Sequence, residues 1–428
     1  MKFNRNILFL GLTAAMMAPA AHAELPIDVI GNSEVSFEGL VQADANWYGN
    51  DMADLNAPQT NNDGDNSEFE MRRAELILKG KGMSGSFDWV LGYDARANKF
   101  LDVNGKYKIS ANPNHFVQVG QFKQPNSLEE LSSTKNNDFI AKASATNTFS
   151  LTRRLGVAYR YGDVNWGITG SYFGRELTKN LAHGSGFGLR GNWAPINADG
   201  NLLHLGLSYV SYDTDADTLQ VRARPLADLA TVRLVDSGAM KNADHQTTIG
   251  AEALFAHKNF KIQGEYMRST IDRYATTPAN PLISRDFTAD AWYVSGLWNI
   301  TGETWGYKDG VHTTPLPNDP SKGMWQVGVR YDTIDLNDGK LLAPLVPAGA
   351  PRVDGVLGGK QNSWTVGVNW YWRSNFKFML NYVMVDSSRY IGKTGATYST
   401  NPANNNHTFN RVVNDSPNVL EARLQFYW

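Results

Sequence analysis

The sequence has 428 residues, with 40 Lys and Arg against 42 Asp and Glu, 39 Gly, 17 Pro and no Cys. The lack of cysteine excludes a disulfide scaffold, a thiolate-held metal and thiol chemistry. A net charge of −2 lacks the basic excess that a nucleic-acid binder needs. No window reaches about 18 consecutive apolar residues, so no helix is apolar enough to cross a bilayer, although 42% of the chain is apolar and 11% aromatic.

In chain order, Lys2 and Arg5 give a basic start and Ile7 to Met17 is apolar. Ala21-His22-Ala23 then offers small residues at a cleavage site. Residues 1–23 read as a secretory signal peptide, with Glu24 the expected mature start. That leaves 38 basic against 42 acidic residues, a net charge of −4. Residues 24–34 read as a periplasmic lead-in.

From residue 35 apolar and polar side chains alternate. Val35, Phe37, Gly39, Val41, Ala43, Ala45 and Trp47 interleave with Ser36, Glu38, Gln42, Asp44 and Asn46. The same two-residue period recurs over Phe87–Asp94, Trp325–Asp332 and Trp364–Trp372. It recurs again over Leu420–Trp428, where the sequence closes on an aromatic strand. Period two means a strand with one dry and one wet face. Sixteen such segments are expected near 35–47, 69–80, 86–96, 102–110, 115–123, 153–161, 164–173, 186–194, 202–211, 246–256, 259–270, 289–300, 323–335, 362–372, 376–386 and 418–428.

The links sort by length. Tight turns such as Gly162-Asp163 and His257-Lys258 alternate with long stretches at 48–68, 124–152, 174–185, 212–245, 271–288, 336–361 and 387–417. Thr301–Lys322 is the one long link on the short side. Together these features predict an all-β fold, a transmembrane antiparallel β-barrel of 16 strands over 35–428. Hydrocarbon offers no hydrogen bonds, and closure removes the open sheet edge. At about sixteen strands the barrel encloses a water-filled channel.

By strand parity the lumen receives Arg73, Arg154, Arg160, Arg190, Lys261, Arg330 and Arg423, but also Asp44, Glu75, Asp94, Glu252, Glu265 and Asp332. A wall of mixed sign does not select anions, so selectivity is expected from loops folded into the lumen. Residues 124–152 carry Leu128, Leu131, Phe139 and Ile140, which an exposed loop does not need. Lys123, Asn126, Ser127 and Lys135 nearby supply charge and hydrogen bonds suited to an oxyanion such as phosphate. A plain solvated loop is the alternative. Further on, Arg222 and Arg224 share one side of an extended segment, about 6.6–6.8 Å apart, and Arg233 follows. These form rungs of a guanidinium ladder, or else an exposed basic patch.

Phe69-Glu70-Met71-Arg72-Arg73-Ala74, Gly120-Gln121-Phe122-Lys123 with Pro125, Gly358-Gly359-Lys360 through Tyr371, Leu380-Asn381-Tyr382-Val383 and Arg423-Leu424-Gln425-Phe426 are similar to the phosphate-selective porin O and P family. The resemblance spans the mature chain. It implies a homotrimer of sixteen-stranded barrels in the bacterial outer membrane, among lipids and lipopolysaccharide, passing phosphate or polyphosphate and needing no cofactor. Position by position it points to Arg72, Arg73, Lys123, Asn126, Ser127, Lys135, Arg222, Arg224 and Arg233 as anion-binding, with Asp94 as the acid opposite the cations that favours release. Parity places Arg72 and Arg73 on opposite faces, so both reach the lumen only through a bulge or loop.

Rival readings are a general diffusion porin and a sugar-specific one. A sugar porin would use an aromatic slide, for which Trp47, Tyr48, Trp305 and Tyr307 are the candidates. No nucleophile motif accompanies the eight histidines, so an enzyme is not expected. The acid-rich stretch Asp51 to Glu70 could hold a divalent ion or be a plain solvated loop.

Overall fold

The structure, a computed structural model, describes residues 25–30, 33–56, 66–178, 184–214, 217–274, 285–344, 351–392 and 411–428. The expected signal peptide at 1–23, and 57–65 of the acid-rich stretch, lie outside the described residues.

Among the described residues, sixteen antiparallel strands close a ring within an eighteen-stranded sheet, the other two being the short strands Leu25–Ile30 and Arg411–Asp415. The ring strands are β1 (Ser33–Gly49), β2 (Ser67–Gly82), β3 (Phe87–Asp94), β4 (Lys99–Lys108), β5 (Phe116–Lys123), β6 (Arg153–Gly162), β7 (Trp166–Phe173) and β8 (Gly186–Ala198). The second half comprises β9 (Asn201–Asp213), β10 (Ala243–His257), β11 (Phe260–Arg273), β12 (Phe287–Asn299), β13 (Met324–Leu342), β14 (Arg352–Trp372), β15 (Phe376–Ile391) and β16 (Asn418–Tyr427). The expected strands are all present. Each strand pairs with its sequence neighbours, and the ring closes where β1 meets β16, from Leu40↔Tyr427 to Gly49↔Asn418. At that seam Arg423 grips Asp44 through two bonds of 2.6 Å, Nε to Oδ1 and Nη2 to Oδ2. The two side chains are 2% and 1% exposed, so loss of either partner would strand a buried charge.

Alternation sorts the wall as expected. Along β9, His204 and Ser208 are buried while Leu207 between them is 67% exposed. Outward apolar residues on the other strands, such as Ile249, Trp292, Val366 and Leu380, complete the band a membrane requires. One expectation is corrected and one segment gains detail. The link at 336–361 is largely strand, because Asn337–Leu342 pairs with Arg352–Leu357 and leaves a short connection. The lead-in at 24–34 contains a strand, Leu25–Ile30, paired back onto Ser33–Phe37.

Inward polar residues are buried because segments from both ends of the barrel pack on them. The link between β5 and β6 carries two short helices, α1 (Leu128–Leu131) and α2 (Ser144–Phe149). The Ile140 N–H donates to Asn381 Oδ1 at 2.7 Å and the Ser144 N–H to Asp332 Oδ2 at 2.8 Å. Arg330 Nη1 and Arg423 Nη1 each reach a carbonyl of this link, on Ala141 and Ile140, at 3.0 Å. Leu128 and Phe139 pack with Leu254, Leu297 and Trp305. The link between β9 and β10 folds into two tiny strand pairs, 218–219 with 240–241 and 222–223 with 235–236. Its apolar residues Leu226, Ala227 and Leu234 pack on Leu55 and on Val383 and Val385 of β15. From the turn end, the long link 300–323 sends in a small hairpin of Gly306–Lys308 and Val311–Thr313.

Candidate functional site

The local fold around Arg72 resolves the parity conflict. Gln42 of β1 pairs with Arg73, whereas the next residue, Ala43, pairs with Met71. Arg72 is the extra residue of a bulge, which turns consecutive side chains toward one side. Arg72 Nη2 reaches Asp228 Oδ2 at 3.1 Å, and Arg73 Nη1 reaches Glu75 Oε1 at 2.9 Å.

Both arginines line a cavity of about 170 Å³. Its other charged lining residues are Lys99, Lys123, Lys142, Arg153, Arg423, Glu130, Glu176 and Asp228. Among the described lining residues seven cationic side chains face three carboxylates, while Glu75, Asp102 and Asp44 behind the lining pair with Arg73, Arg153 and Arg423. The cations are held rather than loose. Lys123 donates to the carbonyls of Glu130 and Ser132, the second at 3.0 Å, and stands 3.8 Å from Glu130 Oε1. Lys142 pairs with the other oxygen of Glu130. Arg153 binds Asp102 Oδ2 through Nε and Nη2 at 3.0 and 2.7 Å.

Charge balance in the cavity follows from these contacts. Burial alone would raise the Glu130 carboxyl, but Lys142 and Lys123 outweigh it and hold it at about 2. Asp228 is likewise raised by burial and lowered further by Arg72 and Arg423, the net being downward. Both stay ionised at neutral pH and subtract from the cation field. The cavity can attract an oxyanion and offer charged N–H donors, while its carboxylates compete for the same donors.

The second cationic group sits on the link between β9 and β10. Arg224 donates from Nε to the Ala230 carbonyl at 2.9 Å, and Arg233 donates from Nη1 to the Thr231 carbonyl at 2.9 Å. Burial, and then Arg224 and Arg222, push Arg233 down to about 10, so it remains charged at neutral pH. Asp228, also near Arg224, joins this group to Arg72 and the cavity.

Four of the sequence candidates do other work. Asp94 is not among the described residues that line the cavity. Its Oδ1 accepts the N–H groups of Ala74, Arg96 and Ala97 at 3.2, 3.0 and 3.2 Å, because it closes the turn after β3. The Asn126 amide is buried and bridges its own link, donating to Leu151 O at 2.8 Å and accepting from Leu151 N at 2.9 Å. Ser127 has φ of 59° and caps α1, its hydroxyl accepting from Glu130 N at 3.1 Å. Lys135 lies away from the cavity, with Nζ 5.5 Å from the Tyr427 ring centre. Amide and hydroxyl side chains serve loop capping as readily as ligand binding, and sequence does not separate the two.

Lys142, Glu130 and Asp228 were missed. Their signal was present: charged residues inside links that also carry buried apolar side chains. The aromatic candidates do not form a slide. Trp47 faces outward, Tyr48 and Trp305 are buried, and Tyr307 bonds His204 Nδ1 at 2.7 Å.

The turn-end hairpin braces the link that carries the cavity. Thr314 Oγ1 reaches the Asn136 carbonyl at 3.4 Å. His312 Nε2 stands 3.2 Å from Lys261 Nζ, which pairs with Asp138 at 2.7 Å. Arg190 donates to the Gly310 carbonyl at 2.9 Å.

A family model described as phosphate-selective porin O and P matches residues 41–428. Porin O of Pseudomonas aeruginosa is 27% identical over 228 residues, covering 49% of this chain and 49% of that protein. The chain spans less than two thirds of the curated relatives it matches, 62% and 49% of their lengths. Among solved structures, OmpT of Vibrio cholerae superposes with a TM-score of 0.55 at 13% identity, covering 94% of this chain and 99% of that one. The anion-selective porin from Comamonas acidovorans superposes with a TM-score of 0.53 at 11% identity, covering 92% and 100%. At such identities the superpositions speak for the fold alone. With the family match running through almost the whole barrel, the chain belongs to the phosphate-selective porin O and P family and has the fold of a bacterial outer-membrane β-barrel.

Proposed function

We propose that this barrel passes anions, phosphate or polyphosphate foremost, and that the cavity beside Arg72 and Arg73 is its selective narrow zone. The observation that supports this is the excess of seven cationic side chains over three carboxylates. Arg222, Arg224 and Arg233 collect anions from the outer side and hand them inward past Arg72. Lys123, Lys142 and Arg153 then offer replacement donors for the lost hydration shell. Each charged contact contributes roughly 1.5–3 kcal/mol, so several uncompensated contacts would trap the ion. Glu130 and Asp228 take the releasing role that the sequence had given to Asp94. They already occupy the donors an ion must borrow, and reclaim them as it leaves.

The assembly we propose is a homotrimer, in line with the trimer form in which OmpT of Vibrio cholerae is known. The outward apolar band would meet lipid and lipopolysaccharide, and residues 1–23 would be removed on export. The decisive experiment is titration of inorganic phosphate against chloride current in planar bilayers. Phosphate should reduce the current in a saturable way. Block by maltose-type sugars with none by phosphate would favour the sugar porin instead, and block by neither a general one.

A further inference from the structure

A second cavity, of about 250 Å³, lies beside the first on the outer-loop side, between α2, the inner faces of β9 and β10, and the arginine-bearing link. Its character differs. Phe149, Leu151 and Leu219 contribute an apolar side opposite the polar Gln220, Gln246 and Thr248, and among the described residues Arg222 is its only charged lining residue. Among the described residues no carboxylate forms an ion pair with Arg222. Its cross-strand neighbour Asp236 is engaged by Gln220 Nε2 at 2.8 and 2.9 Å and by the Gly238 N–H at 2.8 Å. Thr148, also in the lining, has a buried hydroxyl with no hydrogen-bond partner among the described residues. Asn147 lines both cavities, so the two adjoin.

We infer that this cavity is a binding site for amphiphilic organic anions, specifically an aryl monoester of phosphate. The ring lies among Phe149, Leu151 and Leu219, and the phosphoryl group lies toward Arg222. Inorganic phosphate, having no apolar body, gains nothing from this wall. The pore thus distinguishes organic from inorganic phosphate before the narrow zone. The inference rests on the reading that the cationic cavity accepts phosphate, and adds a discrimination which that reading does not contain.

The test compares phenyl phosphate with inorganic phosphate as blockers of chloride current, each added to the loop side of the reconstituted channel. Phenyl phosphate should half-block at roughly tenfold lower concentration, the factor that burial of about 60 Å² of ring surface supplies. Leu219→Ser should bring the ratio of the two half-blocking concentrations close to one. Arg222→Gln should also reduce the ratio, and as an exposed position it leaves folding intact. Equal block by the two ions in the wild type, or a ratio unchanged in both variants, overturns the inference. Failure of inorganic phosphate to block at all overturns the phosphate reading instead.

Discussion

Arg72 and Asp228 stand 3.1 Å apart, Nη2 to Oδ2, and the pair ties the bulged residue of β2 to a link 156 residues further along the chain. The bulge exposes the guanidinium to the lumen, and the link brings its counter-charge. Binding and release therefore meet in one contact. Asp228→Asn removes a negative charge from the cavity lining and frees Arg72. Phosphate should then half-block at roughly threefold to tenfold lower concentration, with a longer residence time, since the pair is partly solvated and worth less than a buried one. Single-channel recording of block duration measures this.

Asp94→Asn should leave phosphate block as it is. The Asp94 carboxylate faces three backbone N–H groups, so the substitution weakens a turn by about 1 kcal/mol. Resistance of the folded barrel to heating in detergent should fall slightly. A change in phosphate residence without loss of stability would restore Asp94 to the pore.

Glu130 is held at about 2 because Lys142 and Lys123 outweigh its burial. A depressed carboxyl contributes stability that is complete above its ordinary value of 4.5 and lost only as pH falls toward 2. Among the described residues no histidine lines the cavity. Block by sulfate, whose charge is constant there, should therefore be the same at about pH 7 and about pH 6. A strong rise in block on this mild acidification would contradict the assignment of the cavity's acids.

The turn-end hairpin should respond to acid. Burial and then Lys261 lower His312 from 6.5 to about 3, with Asp138 and His204 the other groups facing it. The seated hairpin keeps the neutral imidazole, whereas a released hairpin binds a proton. Stability of the seated form is complete above about 6.5 and falls as pH drops toward 3, by at most about 1.4 kcal/mol per pH unit. Quencher access to Trp305, taken as the difference from Trp305→Phe, should rise on acidification. His312→Gln should flatten that rise.

The barrel was readable because its cause is periodic. A strand that separates lipid from water must alternate, and stretches such as Leu203–Tyr209 do so without interruption. Even the bulge was foreshadowed, since two consecutive arginines cannot both face the lumen from a regular strand. The cavity was readable only in part. Lys123 was legible in the chemistry of its loop, Arg73 in strand parity, and Arg72 through family likeness. Lys142 and Asp228 owe their place to how two links cross the lumen, which no local pattern records. Asn126, Ser127 and Asp94 make capping and turn contacts for a chemical reason. The groups that bind oxyanions or offset cations are also those that cap helices and close turns.

The central claim is that cationic side chains held inside the barrel set the pore's preference. Reversal potential in a KCl gradient, recorded for the wild-type channel and for Lys123→Glu, tests it most directly. A sign showing chloride more permeant than potassium in the wild type, with that preference lost in the variant, is the predicted result. A cation-preferring wild type, or a variant with undiminished anion preference, would contradict the account.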